Sequence, residues 1–378
     1  MAGPTYRAAR FVADKVQARF SKRKAAVGDR WQEGATQPDT PSIETIIDVA
    51  FWASLRREEA YSPKISLAYL SPEQAGQPLM FERPLPLTAA ALARLAPAVE
   101  RPGIHLGVWL YQDRLRVWGT TRTVPRRCFV LEVIEPGLLV IKYRRGQEAG
   151  KFVNVVVLKG DEIKEVDEQG TSLPDCPALL TSLLGFGSPA ARDDSVNVLV
   201  QLAASMRAHG RGGSLLVVPH GSDAWRESIV RPVSYSVSPQ FTELAELMRQ
   251  SDEEKEKRLW QESFLDAVEA VAGLTAVDGA TVISNQYDLL AFGAKIGLRG
   301  GGAQVEKVVV TEPVVGNVAS VVHPVQFGGT RHLSAAQFVH DQRDAIALVA
   351  SQDGRFTIFA WSPCEEAIHA HRVETLLL

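Results

Sequence analysis

Ile43, Ile46, Ile47, Ala50, Phe51 and Leu55 recur at i, i+3, i+4, i+7, i+8 and i+12, so they share one face of an amphipathic helix that Ser42 can cap. After that helix the period changes. Apolar positions fall into short runs rich in β-branched and aromatic residues, at 65–70, 107–111, 115–118, 128–133 and 138–143, each bounded by Gly, Pro or Asp. Gln112-Asp113-Arg114 and Glu135-Pro136-Gly137 read as hairpin turns. Residues 39–190 are therefore expected to form an α+β module dominated by an antiparallel sheet. No residue constellation in it compels a chemistry.

The second half alternates helices and strands. Val196, Val198, Leu199, Leu202, Ala203 and Met206 predict a helix over 194–208, followed by the strand 214–218. Ser251 with Glu254 forms a capping box, and the helix it opens is expected to bury Trp260, Phe264, Val268 and Val271 and to stop at Gly273. Strands at 280–284, 289–296 and 305–310, a helix near 331–340 and a terminal hairpin of 345–350 with 356–361 complete a mixed-sheet α/β domain over 191–378. The fold class is α/β, with an α+β domain in front.

Composition narrows the classes. The chain has 378 residues, 46% of them apolar and 22% charged, which fits two globular domains and excludes a disordered chain. No stretch approaches the roughly 18 consecutive apolar residues of a spanning helix. A net charge of −3 leaves no overall basic field for nucleic acid, so no specific nucleic-acid site is expected. Charge is concentrated in one place: residues 1–31 hold eight Lys and Arg against two Asp. The arm and linker over 1–38 read first as a solvated extension; Phe11, Val12, Val16 and Phe20 also allow a short basic amphipathic helix that touches a partner. Cys128, Cys176 and Cys364 form no CxxC pair, and no apolar signal core opens the chain, so a reducing cytoplasm is the expected compartment.

Four segments were weighed for chemistry. The glycines of 210–213 follow a helix and precede a strand, the reverse of a phosphate loop, and read as a helix C-cap. Arg299 to Gly302 reads as a sheet connection. Asp278-Gly279-Ala280 sets a carboxylate at a strand edge beside two small residues, although Asp-Gly is also a common turn. Gly329-Thr330-Arg331-His332 places a hydroxyl, a guanidinium and an imidazole where a helix begins, a combination suited to an anion. His105, His220 and His323 have no partners at metal-ligand spacing and read as surface or core residues. There is no nucleophile elbow and no HExxH.

Taken in order, the Gly-rich turn, the Leu-Leu-Val-Val strand, Asp278-Gly279-Ala280, Gly329-Thr330-Arg331-His332 and the terminal hairpin resemble the diadenylate cyclase domain over residues 194–362. The resemblance implies a nucleotide-binding fold in which Asp278 holds a divalent cation, Mg2+ or Mn2+, at the phosphates of ATP. Gly279 and Ala280 would line the same site, and Gly329, Thr330, Arg331 and His332 would hold the triphosphate. In that family two domains face each other and condense two ATP into cyclic di-AMP, which implies a homo-oligomer. Two positions depart from the pattern: Leu333 stands where the motif ends in a second arginine, and Gln352 where many active cyclases are acidic, with Asp353 next to it. Losing charge at the reacting centre while keeping the binding residues should leave binding and impair turnover. The pattern therefore resembles the divergent branch described as probable sensor domains of the DACNV type. The implied function is a sensor of ATP or a purine dinucleotide, with an active diadenylate cyclase as the alternative and a pure interaction module as a third reading.

Overall fold

In the computed structural model the described residues are 5–27, 35–57, 61–144, 152–167, 197–255, 257–300 and 302–378. The chain divides into two compact units, residues 1–166 with Leu378 and residues 167–377.

The first unit opens with helices α1 (Arg7–Val27) and α2 (Thr40–Ser54). The basic segment is not a solvated arm: Ala9, Val12, Ala13, Val16 and Phe20 are buried along one face of α1 in the unit's main core. Tyr6 stacks on Phe51 with ring centroids 3.7 Å apart. The helical spacing of the apolar positions outweighs the local charge because Arg7, Arg10 and Lys15 fall on the outward face. Helix α2 starts before Ser42, and its cap is Asp39, whose Oδ1 accepts the Ser42 N–H at 3.0 Å.

Eight strands follow, β1 (Ile65–Tyr69), β2 (Leu79–Pro86), β3 (His105–Tyr111), β4 (Arg114–Thr121), β5 (Phe129–Glu135), β6 (Leu138–Arg144), β7 (Phe152–Lys159) and β8 (Glu162–Glu165), with α3 (Ala89–Leu95) between β2 and β3. They form one sheet in the order β2-β4-β3-β1-β5-β6-β7-β8. Every pairing is antiparallel except β1 with β3. Gln112 and Asp113 adopt φ of 48° and 60°, the left-handed conformation that a tight hairpin between β3 and β4 requires.

The second unit contains α4 (Val198–Ala208), β9 (Gly213–Val218), β10 (Tyr235–Phe241), α5 (Glu243–Arg249), α6 (Arg258–Leu274), β11 (Ala280–Ser284), β12 (Leu289–Ala294), β13 (Val308–Thr311), β14 (Ser320–Val322), α7 (Thr330–Asp341), β15 (Ile346–Ala350), β16 (Phe356–Ser362) and β17 (Ala367–Arg372). Ser251 caps only a separate turn, Asp252–Lys255, by accepting the Glu254 N–H at 3.4 Å, and α6 starts anew at Arg258. The sheet order is β10-β12-β11-β9-β15-β16-β17-β13-β14. Alternation along β9 sends Leu215 and Val217 to the face covered by α4 and α6, and Leu216 and Val218 to the face covered by α7.

The two sheets share one wiring. Strands β1 to β7 of the first unit correspond in order to β9, β10, β11, β12, β15, β16 and β17 of the second, with the same neighbours and the same sense at all six pairings, including the single parallel one, β1 with β3 and β9 with β11. A helix leads into the central strand in both, α2 before β1 and α4 before β9. The second unit differs by an insertion between β12 and β15, which adds β13, β14 and α7.

Candidate nucleotide site

Register brings the motif residues to one end of the second sheet. Ala280 pairs with Ser214 across the parallel β9/β11 pair, and Gly213 pairs with Ala350 across β9/β15. The turn before β11, the glycine turn before β9 and the turn after β15 therefore lie side by side, and the outer two are separated by two strand spacings, roughly 10 Å. Helix α7 delivers its start to the same end, because His332 Nε2 lies 3.4 Å from the hydroxyl of Thr357 at the beginning of β16.

The glycine turn is the centre of this end. Gly212 has φ +71°, and a Cβ built there would sit 3.0 Å from an Arg331 guanidinium nitrogen, 3.2 Å from the Ala350 carbonyl and 3.3 Å from Gln352 Cγ. On the other side, a Cβ on Gly213 would meet the Thr275 carbonyl at 2.4 Å, so the turn is also pressed against the C-terminal end of α6. Gln352 Nε2 donates to the Arg211 carbonyl at 3.3 Å and ties the turn after β15 to it. The C-cap reading of 210–213 is right for Gly210, at φ +65°, but it missed the contact of Gly212 with Arg331. Local sequence carries no signal for that contact, because the partners lie more than a hundred residues apart.

Asp278 is highly exposed, its side chain 91% accessible, with Lys295 Nζ 3.5 Å from Oδ2. Gly279 has φ +109°, and a Cβ there would fall 2.5 Å from the Gly293 backbone, so only glycine lets the turn close on β12. Ala280 is buried in the sheet and offers its backbone alone.

Gly329 is the N-cap of α7. The N–H groups of His332 and Leu333 bond to the Gly329 carbonyl, which leaves those of Thr330 and Arg331 as open donors of the first turn. Thr330 and Arg331 are both exposed. Arg331 forms no hydrogen bond or ion pair among the described residues.

His332 departs from its expected role as a phosphate contact. It is 6% exposed, its ring packs edge-on against Phe327 and Phe359, and a Cβ on Gly328 would strike the ring at 2.4 Å. Burial lowers its pKa, Asp353 opposes that, and Arg355, Arg372 and Arg331 lower it further. It is a neutral core histidine that fixes the helix start.

Asp353, next to Gln352, is engaged locally with Arg355. Its Oδ1 accepts the Arg355 N–H at 3.3 Å and its Oδ2 faces Arg355 Nε at 3.2 Å. Burial raises its pKa, but hydrogen bonds from the Arg355 backbone and Ser351, together with the Arg355 charge, outweigh that and hold it below the usual carboxylate range.

Elsewhere, His105 is buried against Ser66 Oγ at 2.7 Å, His220 pairs with Asp288 at 3.1 Å, and His323 caps a short helical turn. Cys128 is buried and unpaired and Cys364 is exposed; Cys176 lies outside the described residues.

Residues 32–122 match the model of the family described as probable sensor domain DACNV. That segment lies wholly inside the first unit. It runs from α2 through β4, the half-sheet whose counterpart in the second unit, α4 through β12, carries the glycine turn and Asp278. No curated protein matches the chain. Among the described residues no helix is long and apolar enough to cross a membrane, and no three His, Cys, Asp or Glu side chains are placed to hold a metal ion.

Proposed function

We propose that the second unit binds a purine nucleotide, ATP or a cyclic dinucleotide, at the end of its sheet and reports occupancy without efficient turnover. The observation that carries this reading is the uncommitted Arg331 guanidinium beside Gly212, at the start of a helix with two open N–H donors. A fork of donors that bonds none of the described residues suits phosphate oxygens. Asp278 approaches the same end from the other side of β9. One exposed carboxylate is too little for a resident metal, but it fits the way Mg2+ is held, by one carboxylate and the phosphates it arrives with. When bound, such a cation would neutralise phosphate charge, and Asp278 would exchange Lys295 for it. Leu333 supplies no guanidinium, Gln352 is committed to the glycine turn and Asp353 to Arg355, so these three positions offer little that would favour a transition state over bound nucleotide.

Incubating the full chain with ATP and Mg2+ or Mn2+, with products resolved by chromatography and mass detection, separates the readings when ATP and cyclic di-AMP binding are titrated on the same sample. Saturable binding without product is expected. Cyclic di-AMP that disappears in Asp278→Asn would make the protein a cyclase. No binding of either nucleotide at millimolar concentration would leave only an interaction module.

A further inference from the structure

At the opposite end of the second sheet, where β9 finishes and β15 begins, lies a cavity of about 480 Å³, within the range of small-molecule sites. Its position follows from the wiring. The chain leaving β9 runs to the edge strand β10, whereas β15 is entered from α7, which follows the other edge strand, β14. The cavity lies where these two connections leave the antiparallel β9/β15 pair in different directions.

The walls have a definite chemistry. Val218, Pro219, Trp225 and Ala345 supply apolar surface. Arg343 lines the same space; its guanidinium lies 4.0 Å over the Trp361 ring and forms no hydrogen bond or ion pair among the described residues. Stacking holds the fork in place while leaving its edge donors available. Two acids also line the cavity: Asp344, exposed beside Arg343, and Asp341, already satisfied because Oδ2 accepts the Arg299 N–H at 3.2 Å, Oδ1 accepts Gln337 Nε2 at 3.0 Å, and His340 Nδ1 lies 3.1 Å away.

We propose that this cavity is a second small-molecule site, separate from the nucleotide site, for a planar ring carrying one acidic group. The ring packs against Trp225, Val218 and Pro219, and the acid takes the Arg343 fork. Helix α7 links the two sites, with Arg331 in its first turn and Asp341 at its last residue.

The test is a fluorescence titration of the full chain with 1-anilinonaphthalene-8-sulfonate, using N-phenyl-1-naphthylamine, the same rings without the acid, as the comparison. One sulfonate per chain should bind, at least tenfold more tightly than the neutral probe. Arg343→Glu should weaken it at least tenfold, Ala224→Trp, which fills the cavity from an exposed position, should block it, and Arg331→Ala should leave it unchanged. Equal binding of the neutral probe, no saturable sulfonate binding, or binding insensitive to Arg343→Glu would overturn the proposal. A thermal melt of each variant identifies any that fails to fold, and Arg343→Glu, at an exposed residue, decides the matter if Ala224→Trp does. ATP titrated into the same samples keeps this outcome distinct from that of the nucleotide reading.

Discussion

The two units repeat one seven-strand wiring and put it to different use. At the sheet end that holds Asp278-Gly279 in the second unit, the first has Pro102-Gly103 before β3, with Gly103 likewise in the left-handed region at φ +81°. The turn is kept and the carboxylate is not. Between β4 and β5 the first unit has only residues 122–128, whereas the corresponding stretch of the second holds β13, β14 and α7. The residues proposed to hold the nucleotide thus belong to an insertion and a turn set on a shared wiring, so their chemistry and the stability of the first unit are expected to be separable.

That separation can be broken from either side. The largest effect is expected from Trp118→Ala, which empties a fully buried site where the indole packs on Gly107 and donates to the Leu70 carbonyl at 2.8 Å. A loss of about 3–5 kcal/mol, read by denaturant unfolding, should fall on the first unit and leave ATP affinity unchanged. Next is acid sensitivity. Burial, only partly opposed by Glu132, lowers the His105 pKa to about 4, so between roughly pH 6.5 and 4 the unfolded chain holds a proton that the folded one refuses. Stability is full above that window and drains as pH falls through it, by up to about 3 kcal/mol; His105→Gln should flatten this limb. Arg331→Ala comes third, weakening ATP by about 2 kcal/mol, roughly 30-fold in a calorimetric titration, with no change in melting of the first unit. Smallest is Lys295→Met: removing an exposed pair should alter stability by less than about 1 kcal/mol while raising the Mg2+ sensitivity of binding, since Asp278 is then unpaired.

Much of this was legible in the sequence, for identifiable reasons. The long apolar period of α2, the hairpin turns at 112–114 and 135–137, and both motif segments are local signals, and each lies on an element of the expected kind. The α1 stripe was equally visible but was outweighed by its charge, although Val12, Ala13, Val16 and Phe20 already mark a buried face. Strand β2 escaped because its Arg, Glu and Pro residues suit an exposed edge rather than a core. The convergence of Gly212, Arg331 and Gln352 could not be read at all, since it depends on strand register across three separate segments. The burial of His332 between the Phe327 and Phe359 rings could not be read either, since sequence gives its type and not its surroundings.

Nucleotide is expected to occupy the second unit at its inserted helix and not the matching turns of the first. Amide hydrogen exchange of the full chain with and without ATP and Mg2+ tests it directly. New protection is expected at 209–213, 277–280, 329–333 and 351–355, with none at 101–105 or 135–138. Protection at the first unit's turns, or no change at the start of α7, would contradict it.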